Sequence, residues 1–233
     1  RQPMLARDKV RYVGEPIAII VADTAAIAED ALDWIEADIE ALPPITDRAG
    51  AELGDVLLFD EHGSNSVIQW HAVRGDAEAA FASADYTRRE TFKVQRHAAL
   101  FMEPRGFVAE WNANEEKLTV WGAAKVAFAN RTILADAMAL SENQIDMVEV
   151  DVGGGFGSRG EFYPEDFLIP FAARHLNRPV KWIEDRREHL LAANHARELE
   201  CDVEIAATKD GKIIGLRGQS WANIGAYVRT NGS

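Results

Sequence analysis

At 233 residues the chain is long enough for one large domain or two small ones, with a buried core. A composition of 47% hydrophobic and 27% charged residues excludes a disordered segment, and no apolar run approaches the length of a membrane span. The net charge of −13 repels phosphate backbones and argues against a nucleic-acid partner; the single cysteine, Cys201, excludes an internal disulfide and a four-thiolate iron–sulfur cluster on this chain alone.

The opening residues, Arg1-Gln2-Pro3-Met4, carry neither an initiator methionine nor a signal sequence, so an internal piece of a longer polypeptide is expected. Residues 10–22 contain two strand-like stretches around Gly14-Glu15-Pro16, the second almost continuously apolar. Asp23 or Thr24 can cap a helix running to about Ile35, with Ile27, Ala31, Leu32 and Ile35 on one face. A further strand is expected over Ala37–Leu42, closed by Pro43-Pro44. Residues 48–75 are polar and weakly periodic, which suits a connection with only short structure.

From Tyr86 the pattern changes. An extended strand is expected over Thr87–Gln95, and a hairpin over Gly106–Trp111 and Lys117–Trp121 across the turn-rich residues 112–116. Ile133, Leu134, Ala137 and Met138 have helical spacing within 130–140. Residues 145–152 form a strand running into glycines, and Pro164 suits the first position of a helix. A short strand follows over Val180–Ile183 and a short helix over Arg186–Ala193. Glu198–Ala207 pairs with Lys212–Gly218 across Lys209-Asp210-Gly211, and Trp221–Tyr227 reads as a last strand. The class is mixed α+β.

The segment Gly153-Gly154-Gly155-Phe156-Gly157-Ser158-Arg159-Gly160 stands out chemically. Successive glycines after a strand expose bare amide groups and let a ligand approach the backbone, which favours an oxyanion, phosphate or metal-oxo group. Neither the nucleotide P-loop nor the dinucleotide fingerprint spacing is present. A tight turn or a close backbone crossing would use the same glycines, and the residues alone leave both open. His97, His175, His189 and His195 have no zinc spacing, so packing or surface roles are expected and no metal ligand is assigned. Glu103-Pro104-Arg105 suits a pocket element or a buried ion pair. Asp185, Arg186, Arg187 and Glu188 read as a solvated helix start with an ion pair, and Cys201 as a packing residue.

Taken together, these segments resemble the large, molybdopterin-binding subunit of the xanthine dehydrogenase / aldehyde oxidase / aerobic carbon monoxide dehydrogenase family. Residues 12–18 with Leu42-Pro43-Pro44 are similar to its a/b hammerhead domain. Residues 97–109 resemble the opening of its molybdopterin-binding domain, and Gly153–Gly157 its Gly-Gly-Gly-Phe-Gly loop. Residues 162–166 and 182–188 continue the pattern in order.

The resemblance implies an α+β chain with a hammerhead-like domain and connection over 1–75, N-terminally incomplete. The first part of a mixed α/β molybdopterin-binding domain then covers 76–233. It implies an oxidoreductase component that hydroxylates an aldehyde or N-heterocycle, or oxidises carbon monoxide, and is inactive as this piece alone. The rival from another class is a non-catalytic assembly or scaffold module with a structural glycine turn. The implied cofactor contacts are Gly154, Gly155, Phe156, Gly157, Ser158, Arg159 and Lys125. The cofactor is a molybdopterin carrying molybdenum, with a cytosine dinucleotide form as one alternative, and none is expected on the isolated piece.

The remaining domains of the subunit, and 2Fe–2S and FAD on partner chains or domains, would complete a cytoplasmic enzyme acting on a small molecule. Lys125 stands where the family usually has a glutamine. Gly160 replaces the glutamate of xanthine-dehydrogenase-like members, with Glu161 one residue late, which puts a purine substrate in doubt. The general-base glutamate is expected beyond residue 233, so no catalytic residue is assigned.

Overall fold

The computed structural model describes residues 2–122 and 126–229. Helix α1 (Ala25–Asp30) begins where Thr24 Oγ1 accepts the Ile27 N–H at 3.2 Å, and it passes into a 3-10 turn over Ala31–Trp34. Helices α2 (Arg48–Leu53) and α3 (Ala77–Ala82) start in the same way, with Asp47 and Asp76 accepting from Gly50 and Ala79. Strand β1 (Tyr86–Val94) is followed by β2 (Gly106–Asn112) and β3 (Lys117–Gly122). Helix α4 (Ala127–Met138), strand β4 (Ile145–Glu149), helix α5 (Pro164–Leu176), strand β5 (Val180–Ile183) and helix α6 (Arg186–Ala192) come next. The last elements are β6 (Leu199–Ala207) and β7 (Ile213–Ala222).

The chain divides into two units. One comprises Arg1–Glu40, Ala98–His195 and Gly225–Ser233; the other comprises Ala41–His97 and Ala196–Ile224.

The first unit is built on a four-stranded sheet of order β4-β3-β2-β5. Strand β2 runs antiparallel to β3 and β5, while β3 and β4 are parallel. Alternate residues of β2 and β3 are buried, the period-two signature of a sheet covered on one face. Phe107, Ala109, Leu118 and Val120 pack there against Leu134, Ala135 and Met138 of α4 and Ile169, Ala172 and Ala173 of α5. Each large side chain buried in this way contributes roughly 1.5–3 kcal/mol. Gly122, paired with Phe107, leaves room for the ring: a Cβ there would lie 2.5 Å from Phe107 Cδ1. The opposite side of that ring stacks on Trp182.

The second unit holds the antiparallel sheet β1-β6-β7. One of its faces carries cross-strand ion pairs: Arg89 with Asp202, Lys93 with Glu200 (3.1 Å) and Arg217 with Glu204 (2.9 Å). These pairs are solvated and contribute under about 1 kcal/mol each, so they set register more than stability. Helix α3 lies on β7 at Gly215, where a Cβ would meet Ala80 Cβ at 3.1 Å.

The mixed α+β class and the two central hairpins agree with the sequence reading. The early strands do not. Residues 10–22 and 37–42 form no strand among the described residues. In this region Ala6 N–H donates to the Pro16 carbonyl at 2.8 Å and Glu15 N–H to the Tyr12 carbonyl at 3.2 Å, which among the described residues is a turn and one long-range bond rather than the row a ladder needs. Ile17, Val21, Ile39 and Leu42 remain more than 40% exposed. An extended apolar stretch becomes a strand only beside an edge that pairs with it, and the described residues offer none. Likewise Trp221 and Ala222 are the last residues of β7 rather than the start of another strand, and β4 stops at Glu149 instead of reaching Val152. Helix α3, signalled by Asp76 before an alanine-rich stretch, was not expected.

Candidate functional site

The glycine segment leaves the sheet after β4 and turns sharply. Gly154, Phe156 and Gly157 all have positive φ, at 99°, 45° and 92°. The carbonyls of Gly155 and Gly157 turn back to accept from Ser158 N–H (2.9 Å) and Gly160 N–H (3.0 Å), closing a 3-10 turn over Ser158–Gly160. Among the described residues, the amides of Gly154, Gly155, Phe156 and Gly157 have no hydrogen-bond partner. With the Gly155 and Gly157 carbonyls engaged and four successive amides left without a partner, the loop offers backbone donors suited to an anionic or metal-oxo group.

Close packing accounts for part of the glycine content. A Cβ on Gly153 would lie 2.6 Å from Glu103 Cβ, and one on Gly154 would lie 3.1 Å from Phe101 Cβ. A Cβ on Gly157 would meet nothing within 4 Å, so only its backbone angles favour glycine there. Phe156 holds a left-handed conformation with its ring 75% exposed. Such a conformation is costly for an aromatic residue.

Behind the loop lies a charged brace. Glu103 Oε2 accepts from Gly153 N–H at 2.5 Å and pairs with Arg159 Nη1 at 3.0 Å. Arg159 Nη2 donates to the carbonyls of Glu103 and Pro104, the latter at 3.0 Å, and its guanidinium lies over the Phe101 ring. Ser158 Oγ meets Tyr163 Oη at 2.8 Å, and the tyrosine hydroxyl donates to the Ser158 carbonyl at 2.9 Å. Both ends of the segment are therefore anchored.

Further inside is a second network. Arg105 donates from Nε (3.0 Å) and Nη2 (2.6 Å) to Glu184 Oε1, and its backbone N–H donates to Glu184 Oε2 (3.2 Å). The two ring nitrogens of His189 face Glu184 Oε2 and the Ala99 carbonyl, each at 3.0 Å. Burial by itself would lower the Arg105 pKa, but the carboxylates of Glu165 and Glu184 outweigh it and hold the guanidinium charged. The same guanidinium lies 3.9 Å from the centre of the Tyr163 ring. Asp166, in the first turn of α5, accepts from Tyr163 N–H at 2.8 Å; burial pushes its carboxyl up to about 7. A third cluster joins Glu15 to Tyr227, whose hydroxyl donates to Glu15 Oε1 at 2.5 Å and is pushed up to about 12 by burial and that carboxylate.

Of the residues expected at the site, Gly154, Gly155, Phe156 and Gly157 form the open loop. Ser158 and Arg159 are buried behind it, and Lys125 lies outside the described residues. Glu103 and Arg105 are not partners of one another: the first pairs with Arg159 and the second with Glu184. Asp185 and Glu188 cap α6 reciprocally, at 2.7 and 2.8 Å, and Arg186 Nη2 donates to the Met102 carbonyl at 2.9 Å, so the ion pair expected within residues 185–188 does not form among the described residues. His97 and His175 are exposed, and His189 is buried in the network just described. Cys201 is half-buried and accepts from Ser220 Oγ at 3.3 Å. Among the described residues no three His, Cys, Asp or Glu side chains form a metal site, and no helix is long and apolar enough to cross a membrane. The roles of Glu184, His189 and Asp166 were not anticipated. Glu184 and His189 meet Arg105 and the Ala99 carbonyl across 79 and 90 residues of sequence, and the shift of Asp166 comes from its burial.

The family described as "Molybdopterin cofactor-binding domain" matches residues 58–233. The "Aldehyde oxidase and xanthine dehydrogenase, a/b hammerhead domain" matches residues 1–43. The chain is 36% identical to the nicotine 6-hydroxylase large subunit of Paenarthrobacter nicotinovorans, over 97% of this chain and 28% of that protein. It is 33% identical to the carbon monoxide dehydrogenase large chain of Afipia carboxidovorans, over 97% of this chain and 30% of that one. Among solved structures, quinoline 2-oxidoreductase from Pseudomonas putida 86 superposes with a TM-score of 0.89 at 35% identity, covering 99% of this chain and 29% of that one. The chain thus spans under a third of the length of these relatives.

Proposed function

The chain belongs to the molybdopterin cofactor-binding domain family, and on that premise we propose that it is part of the cofactor-binding subunit of a molybdenum hydroxylase-type oxidoreductase. The observation that carries this reading is the row of four free amides at Gly154–Gly157. A structural turn explains Gly153 and Gly154, whose added methyl groups would collide with Glu103 and Phe101. It accounts for Gly157 only through its positive φ, since a methyl group there would face open space, and it gives no reason for the exposed, left-handed Phe156. A donor array fits the anionic ligands of a molybdopterin-bound metal.

In this proposal Gly154, Gly155, Phe156 and Gly157 hold the cofactor's ligands through backbone N–H groups. Ser158 and Arg159 fix those amides from behind, and Lys125 completes the contact set. When bound, the molybdenum cofactor supplies the redox chemistry of the reaction. The contribution of this chain is preorganisation: amides fixed by the Glu103–Arg159 brace need no rearrangement to receive negative charge.

An N-heterocycle is the favoured substrate class, because relatives at 35–36% identity are named for nicotine and quinoline; an aldehyde or carbon monoxide are the alternatives. The other domains of the subunit, with 2Fe–2S and flavin groups on partner chains or domains, complete the enzyme, which we place in the cytoplasm. We set the hammerhead domain and its connection at 1–75 and the cofactor-binding part from 76 onward. Metal and pterin analysis of the full-length protein purified from its host tests this reading. About one molybdenum per subunit is expected. A homogeneous, folded preparation without molybdenum would favour a scaffold.

A further inference from the structure

Behind the glycine loop, Arg105, Arg159, Glu161, Tyr163 and Asp166 line a small cavity within the first unit. Most of the charge on these residues is satisfied. Arg105 is spent on Glu184, and the two terminal nitrogens of Arg159 are spent on Glu103 and Pro104. Two atoms are not. Arg159 Nε and Glu161 Oε2 are buried without a hydrogen-bond partner in the chain, on residues only 3% and 8% exposed. Leaving a charged donor and a charged acceptor buried and unpaired costs several kcal/mol, so native proteins nearly always satisfy both.

We infer that Arg159 and Glu161 hold a single buried water, which accepts from Arg159 Nε and donates to Glu161 Oε2. The chemistry of the wall selects this occupant. An anion would face the Glu161 carboxylate, and a cation would face the Arg159 guanidinium. A neutral molecule that accepts from one side and donates to the other fits, and in a space of this size that molecule is water. The cavity has room for about one water-sized molecule, and a buried water needs two to four polar partners, which this wall provides. Asp166 lies on the same wall and supplies a third polar group. Its carboxyl, held by burial near neutral titration, can donate when protonated and accept when ionised. The water would complete the hydrogen bonding of Arg159, the residue that ties the end of the glycine loop to Glu103.

This inference concerns the interior of the chain and does not depend on any bound cofactor, so molybdenum content and the outcome here can disagree. The test is the high-resolution crystal structure of the full-length protein, as wild type, Glu161→Gln and Glu161→Leu. In the wild type an ordered peak is expected within hydrogen-bond distance of both Arg159 Nε and Glu161 Oε2. Glutamine retains an acceptor oxygen and keeps the peak; leucine removes it, and the peak is lost. A direct Arg159–Glu161 bond in the wild type, or a dry cavity there, overturns the inference even if neither variant folds. A peak that persists unchanged in Glu161→Leu also overturns it, because the water would then belong to other groups.

Discussion

Glu103 and Arg159 close the glycine loop from both ends: one carboxylate oxygen accepts the Gly153 N–H at the loop's entry and pairs with the guanidinium at its exit. Arg159 is buried and Glu103 is 44% exposed, so the two partners are not equivalent. Arg159→Met removes bonds to Glu103 and Pro104 and leaves a carboxylate that can turn to water. A destabilisation of about 2–4 kcal/mol is expected, with earlier loss of bound cofactor. Glu103→Gln keeps an acceptor for Gly153 and should cost less. Denaturant melts of both variants of the full-length protein check the order.

Glycines in the loop separate packing from ligand approach. Gly153→Ala collides with Glu103 Cβ and is expected to lower stability. Gly157→Ala meets no atom and suffers only its positive φ, so roughly 1–3 kcal/mol is expected, with a much larger loss of cofactor occupancy or turnover per folded molecule. Melting temperature and cofactor content, measured on the same samples, distinguish the two. A Gly157→Ala protein that melts early but retains its full activity per folded molecule would make the loop a plain turn.

The Arg105–Glu184–His189 network predicts a contrast with surface pairs. Glu184→Ala strands a buried guanidinium and should cost about 3–5 kcal/mol. Glu142→Ala breaks a solvated pair with Arg131 and should cost under about 1 kcal/mol. Equal effects would contradict the burial argument.

Asp166 carries a pH dependence with a defined sign. Its folded carboxyl is pushed up to about 7 from the ordinary 3.8, first by burial, against the opposing Tyr163 N–H and Arg105. Between those values the folded protein holds a proton that the unfolded chain has released. The stabilisation from this group is thus complete below about pH 4 and is lost as pH rises through about 7. Asp166→Asn should flatten this slope. The difference in melting temperature between wild type and variant, followed from pH 5 to 8, measures it, and a constant difference would refute the assignment.

Local features were legible in the sequence; partnerships were not. Asp210-Gly211 and the Asn112 turn specify their hairpins within a few residues, and Pro164 marks the start of α5. The glycine run pointed to the loop. Its free amides depend on the φ of Phe156, and no residue type announces a left-handed phenylalanine. The strands expected in residues 10–22 and 37–42 failed because alternation predicts an extended chain, while pairing needs an edge elsewhere. Arg105 and Glu184 are 79 residues apart, and Glu103 and Gly153 are 50 apart, so folding alone brings them together. Glu103-Pro104-Arg105 suggested a pocket element or a buried ion pair, and Arg105 does form one, but its partner Glu184 could not be named from the sequence.

The most direct measurement is anomalous diffraction at the molybdenum edge from crystals of the full-length protein. The predicted result is a metal peak in front of Gly154–Gly157, with the Phe156 and Gly157 amides within hydrogen-bond distance of its ligands. A molybdenum site elsewhere, with those four amides facing only protein or solvent, would contradict the assignment of this loop.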